Sequence, residues 1–212
     1  MERTKAATQQ RILGAGKKQF LARGFREASL RSIVREAGVT TGAFYGYYGS
    51  KEELFDALVG EHYTALMERF CQAQVDFAAL SPEDQPGNMG SFSGDCIDWM
   101  TDYMYEHIDA FRLLLCCAQG TKYEDFVHQM VEIEIDYTHR FMEVLGSLGH
   151  PVSGMDPQLE HILVSGMFSG YFEIIIHDMP KKQALRYVKE LRRFYTAGWA
   201  EIMGVDLSGR PR

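Results

Sequence analysis

Residues 29–51 read SLRSIVREAGVTTGAFYGYYGSK, and the spacing of their side chains decides the fold. Ser29 is a good helix N-cap, and Leu30, Ile33, Val34 and Ala37 follow at intervals of three and four, giving a short helix one apolar face. Gly38 falls where that helix must end, because glycine enters the left-handed region without strain. Val39 is a small apolar plug between two helices, and Thr40 is the N-cap of the second. In that second helix Phe44 and Tyr48 lie four apart and anchor it inward, which leaves Tyr45 and Tyr47 pointing outward. Gly42 and Ala43 have almost no side chain, so the backbone there can come close to a partner. Hydroxyls and tyrosines thus stand where a core helix would carry leucine. That is the pattern of a helix-turn-helix whose second helix is shaped for a DNA groove.

Charge is distributed to match. The net charge of −7 over 212 residues looks wrong for a partner of nucleic acid until the chain is divided. Residues 1–51 hold ten Lys or Arg against three Asp or Glu, a balance of +7. Residues 52–212 hold twelve against twenty-six, a balance of −14. A basic head therefore precedes an acidic body.

Outward from the turn, the stretches RILGAGKKQFLARGF and SLRSIVREAGVTTGAFYGYYGSKEELF resemble the DNA-binding domain of the tetracycline-repressor (TetR) family of bacterial regulators, over roughly residues 8–58. The resemblance rests on the Gly24-Phe25 pair, the Ala37-Gly38-Val39 turn, Gly42 through Tyr45, Tyr48, and Lys51 to Leu54. Gly46 departs from it, since many members carry a larger residue there, and Gly49 is less typical. The resemblance implies an all-α chain: a three-helix DNA-binding domain over residues 1–51, then a helical effector-binding and dimerisation domain over 52–212. Its expected work is transcriptional regulation in the cytoplasm, as a repressor released from a palindromic operator in double-stranded DNA by a small-molecule effector; the alternative is a DNA-binding dimer without an effector, whose body serves only assembly. Arg31, Thr41, Gly42, Ala43 and Tyr47 are placed for base edges; Ser29, Thr40, Tyr45 and Lys51 are placed for phosphates.

The body reads as helical throughout. A long helix is expected from about Lys51 to Phe77, with Phe55, Leu58, His62, Leu66 and Phe70 along one side. At 1.5 Å per residue it would extend about 40 Å. Pro82, Pro86, Gly87 and Gly90 then mark a polar loop, and helices are expected near 92–107, 109–118 and 122–148. The last of these, striped by Phe126, Met130, Ile133, Tyr137 and Phe141, ends at Gly149 and Pro151; Asp156 then caps a helix with Pro157 at its first position. The helix at about 157–178 is apolar nearly all round, with Ser165, Gly166, Ser169 and Gly170 permitting close backbone approach. The one at about 181–203 carries two apolar stripes, through Tyr187, Leu191, Phe194 and Ile202 and through Val188, Tyr195 and Trp199. By resemblance this pair forms a homodimer interface.

Residues expected to line an effector cavity are Trp99, Met100, Tyr103, Met104, His107, Phe111, Cys116, Phe168 and Phe172, since Met and aromatic side chains adapt to varied apolar ligands. The same stripe is also ordinary core. Cys71, Cys96, Cys116 and Cys117 lack metal-finger spacing and fit a reducing compartment. Thiolate sensing at Cys116 and Cys117 stays open, as does a sensing role for the face of Asp125, His128, Glu132, Asp136 and His139; the bland reading of that face is solvated charge. No resident metal or cofactor is expected. No phosphate-binding glycine loop, HExxH pair or nucleophile elbow points to an enzyme, and no run of eighteen apolar residues points to a membrane.

Overall fold

The computed structural model describes residues 2–150 and 154–204, with side chains from Thr4 onward, and every regular element among them is an α-helix. In chain order these are α1 (Glu2–Glu27), α2 (Leu30–Glu36), α3 (Thr41–Tyr45), α4 (Lys51–Ala78), α5 (Gln85–Glu106), α6 (Ile108–Cys116), α7 (Phe126–Ser147), α8 (Pro157–Ile176) and α9 (Lys181–Ile202). Pro151, expected to end a helix, lies outside the described residues.

The caps follow the sequence pattern. Ser29 Oγ accepts from the Ser32 amide at 3.1 Å, and Thr40 Oγ1 from the Ala43 amide at 3.1 Å. Asp156 Oδ1 accepts from the amides of Gln158 and Leu159 at 2.9 and 3.0 Å, with Pro157 opening α8. Gly38 has φ +65°, as a turn between two short helices requires. Gly24 (φ 74°, ψ 163°) bends the chain within α1, so that the Phe25 amide leaves the helix ladder and donates to Cys117 O at 2.8 Å.

Two boundaries differ from expectation. The loop marked by Pro82, Pro86, Gly87 and Gly90 shrinks, because α5 begins at Gln85 and takes in the last three of those residues. Proline in a first helical turn has no needed N–H to lose. The buried Gln85 side chain donates to the carbonyls of Ala78 and Leu80 at 3.4 and 3.2 Å, satisfying the end of α4 and confining the break to 79–84. α7 begins at Phe126 rather than 122, since Thr121 Oγ1 donates to Ala118 O at 2.7 Å and closes a turn before it.

The chain divides into two compact units. The first comprises residues up to Ala65 together with His107–Phe126, and so takes in the start of α4 and all of α6 in addition to residues 1–51. Its fully buried side chains include Ile12, Phe20, Ile33, Phe44, Phe55 and Phe111. Phe20, Phe25 and Phe55 form a ring cluster with centroids 5.2–5.7 Å apart. The second unit comprises Leu66–Glu106 and Val127 onward, with Leu66, Met100, Met104, Met130, Phe172 and Ile174 buried. In length and composition alone α8 would suffice to cross a membrane. Within its unit, however, one side of it is packed: Tyr171 hydroxyl meets Thr101 Oγ1 at 3.0 Å, and Tyr105 hydroxyl donates to Ile174 O and Met179 O.

A Cβ at Gly38 would find only the Arg11 guanidinium, at an ordinary 3.6 Å, so backbone strain alone penalises Gly38→Ala. Urea unfolding should show a loss of about 1–2 kcal/mol; an unchanged midpoint would mean that the turn tolerates a side chain at positive φ.

Candidate functional site

Two features of the described residues are built for recognition, one in each unit. In the first unit, α3 turns Phe44 and Tyr48 inward, where they are 0% and 6% exposed with ring centroids 5.9 Å apart. Thr41, Gly42 and Ala43 are consequently exposed, as is Tyr45 at 55%, while Tyr47 is half-buried. Arg31, on the adjoining turn of α2, is exposed as well. Of the residues expected at base edges, Arg31, Thr41, Gly42 and Ala43 are thus open to solvent and Tyr47 is partly so. Ser29 and Thr40 are also exposed, with their hydroxyl oxygens committed to capping α2 and α3.

Lys51, expected at phosphates, has its ammonium turned to the chain's own backbone. Its Nζ donates to the carbonyls of Phe25 at 2.8 Å, Ala28 at 3.0 Å and Arg26 at 3.4 Å, and it lies 4.2 Å from the centre of the Phe25 ring. An ammonium has three N–H donors, and all three face carbonyls at the end of α1. This geometry makes Lys51 a brace for the corner between α1, α2 and α4.

In the second unit a cavity of about 160 Å³ opens among α4, α5, α7, α8 and α9. Phe70, Phe77, Tyr137, Phe141, Phe168 and Tyr195 supply much of its wall. The rings are fixed edge to face: Phe70 on Phe168 at 5.6 Å and Phe77 on Phe141 at 5.3 Å. Polar groups are few. Gln74 Nε2 donates to Glu134 Oε2 at 2.6 Å, and burial pushes the Glu134 carboxyl up to about 7, an effect the Gln74 bond only partly offsets.

Of the residues expected in such a cavity, Met100 and Phe168 line it. Met104 and Phe172 are fully buried without lining it, and Trp99 stacks on Tyr103 with centroids 4.8 Å apart, on the exposed side of α5. His107, Phe111 and Cys116 belong to the first unit, where His107 stacks on His62 at 4.2 Å. Glu134 and Gln74 were not anticipated, although each interrupts an apolar stripe: Glu134 stands between Met130 and Tyr137, Gln74 between Phe70 and Phe77.

The two sensing alternatives have different local surroundings. Cys117 is buried, with its thiol pushed up to about 11 by burial and then by Cys116, which disfavours the reactive thiolate. The acidic and histidine face breaks into two pairs and a trio: Asp136 with Arg140 at 2.6 Å, His139 with Glu160 at 2.7 Å, and Glu132 near His128 and His161 at 3.9 and 3.6 Å. Beyond the cavity, α8 and α9 expose Leu159, Ile162 (64%), Leu185, Phe194 (71%) and Ile202. Gly166 and Gly170 leave room on α8 for Tyr195, Leu191 and Tyr187 of α9, and the Tyr187 hydroxyl donates to Gly170 O at 3.0 Å.

Residues 12–58 match the sequence model of the bacterial regulatory proteins, tetR family. The chain is 37% identical over 57 residues to the uncharacterized HTH-type transcriptional regulator YdgC of Bacillus subtilis, covering 27% of this chain and 29% of that protein. It is 33% identical over 69 residues to the HTH-type transcriptional repressor NemR of Escherichia coli, covering 32% and 35% respectively. Matches of this kind span about a quarter to two fifths of the length of such relatives. A solved TetR-family regulator from Syntrophomonas wolfei superposes over 97% of this chain and 100% of its own, with a TM-score of 0.51 and 14% identity, and so shares the fold.

Lys51→Met removes three charge-assisted contacts to backbone carbonyls and should lower the stability of the first unit by about 1.5–3 kcal/mol in urea unfolding. Unchanged stability together with weaker binding to every duplex would instead return Lys51 to the phosphate-facing role.

Proposed function

Since this chain belongs to the tetR family of bacterial regulatory proteins, we propose that it works as a repressor: a homodimer that grips a palindromic operator and releases it when a small molecule fills the second unit's cavity. The observation that carries the DNA-binding half is the exposed side of Thr41, Gly42, Ala43 and Tyr45 held over a buried Phe44 and Tyr48. Arg31, Thr41, Gly42, Ala43 and Tyr47 then read base edges, while Ser29, Thr40 and Tyr45 meet phosphates. Few of these side chains are long. Specificity accordingly leans on Arg31, on the tyrosines and on the shape of the duplex. The basic balance of residues 1–51 draws the duplex to this end of the chain.

Dimerisation is supported by the apolar surface of α8 and α9. Ile162 and Phe194, at 64% and 71% exposed, are side chains that water disfavours and a second copy would cover. A two-fold pair presents two helix-turn-helix motifs, so the operator is an imperfect palindrome with half-sites one turn or more apart. Repression over activation is supported by the likeness to NemR, which is a repressor. The cavity supports release: a ligand that binds the DNA-free form more tightly lowers DNA affinity by linkage, and α4 supplies Phe55 to one unit and Phe70 and Gln74 to the other. The workplace of such a regulator is the cytoplasm, where its operator lies.

Selection of duplexes from a random pool, followed by anisotropy titration in varied salt, tests the reading; recovery of non-palindromic or salt-indifferent sequences would end it. Arg31→Ala should cost about 1–3 kcal/mol on the selected duplex and little on random DNA. Phe194→Glu should sediment as a monomer at micromolar concentration and lose tight binding to the full palindrome; a dimer surviving that change would place the interface elsewhere.

A further inference from the structure

Among the described residues, Glu134 is the one carboxylate that lines the cavity, and the hydrogen bond it accepts there comes from Gln74, which carries no charge. Leaving a carboxylate at an apolar wall is costly unless something neutralises it. Arg192, the one basic group of the lining, is engaged from the other side by Asp98, at 3.5 Å. The wall that Glu134 shares is rich in aromatic side chains, among them Phe70, Phe168, Tyr137 and Phe141. Aromatic faces carry negative potential and attract cations. A volume of about 160 Å³ is close to that of a cavity that holds benzene, at about 150 Å³.

We propose that the cavity takes a compact organic monocation with a ring-sized apolar body, its charged group seated against Glu134 and the carboxylate held in register by Gln74. This assignment rests on reading the cavity as the effector site and names the chemical class of the effector. The apolar body occupies the ring-lined wall, and the positive group supplies the countercharge that Gln74 cannot. An anion would meet Glu134 with like charge, and a neutral hydrocarbon would leave the carboxylate uncompensated.

The titration of Glu134 gives the assignment a signature. Burial raises the carboxyl to about 7, so the empty site is largely protonated at pH 6 and largely ionised at pH 8. A permanent cation requires the ionised form. Its affinity therefore rises with pH through this window, by about tenfold from pH 6 to pH 8, the ratio of ionised fractions for a group titrating near 7. The other titratable or charged groups of the wall are Cys96 on α5, Tyr171 on α8, Arg192 and Tyr195 on α9, and Tyr137 on α7 itself. Burial pushes Cys96 up to about 11 and raises Tyr171 and Tyr195, which keeps all three out of the window.

Benzyltrimethylammonium and neopentylbenzene have the same shape and differ in charge, and neither titrates. Calorimetric titration of the full chain with each probe at pH 6 and pH 8 tests the proposal. The expected result is binding of the cation at least tenfold tighter than the hydrocarbon at pH 8, with the tenfold pH rise confined to the cation. Glu134→Gln, its fold checked by thermal melting, should abolish both the preference and the pH rise while leaving hydrocarbon binding intact. Equal or tighter binding of the hydrocarbon to the unaltered chain would overturn the cation assignment and leave the effector site standing. Binding of neither probe would overturn both.

Discussion

The ammonium group of Lys51 sits where three backbone carbonyls, those of Phe25, Arg26 and Ala28, converge at the end of α1. The end of a helix leaves carbonyls without partners and accumulates negative partial charge, so a cation there is held by hydrogen bonds and by the field of the helix together. Because Lys51 is also the first residue of α4, the contact ties the start of that helix to the point where the chain turns into α2. Gly24 makes the turn possible, and the cluster of Phe20, Phe25 and Phe55 fills the space beneath it. A five-residue helix cannot hold itself in water, and its Phe44 and Tyr48 need a fixed floor to pack against.

In the second unit apolar surface is asked to do two jobs. One side of α9 carries Val188, Leu191, Tyr195 and Trp199 toward the cavity, while another exposes Phe194 and Ile202. α8 is similarly divided: Val164, Phe168, Tyr171 and Ile175 are buried, and Leu159 and Ile162 are open. A helix apolar on all sides needs cover on more than one side, and this is why α8 has both the composition of a membrane span and the packing of a core helix. The second stripe of α9 reads as cavity wall as much as interface, a division that apolar composition alone does not reveal.

Local chemistry explains which expectations held. Caps at Ser29, Thr40 and Asp156, the positive φ of Gly38 and the inward pair Phe44 and Tyr48 depend on neighbours within a few residues, and their sequence pattern carried through to the structure. The expected loop around Pro86 failed because proline was taken as a stop when it stood in a first turn, with Gln85 closing the end of α4. The cavity was legible only in part. Met100 and Phe168 lie on it, while His107, Phe111 and Cys116 fall in the other unit, since helical periodicity tells which residues share a face and not which helices that face meets.

An all-helical chain with a helix-turn-helix over residues 29–51, a basic head and an acidic body is legible from the residues alone, because caps, turns and charge balance are set by residues close together in the chain. Only packing between distant segments brings the Lys51 ammonium to the carbonyls at the end of α1, and brings Gln74 and Glu134, sixty residues apart, together at a cavity wall. Read along its own helix, a polar group shows its position in a stripe but not its surroundings. Its partner, its burial and hence its charge state depend on which distant segments pack against it, and no local pattern encodes that.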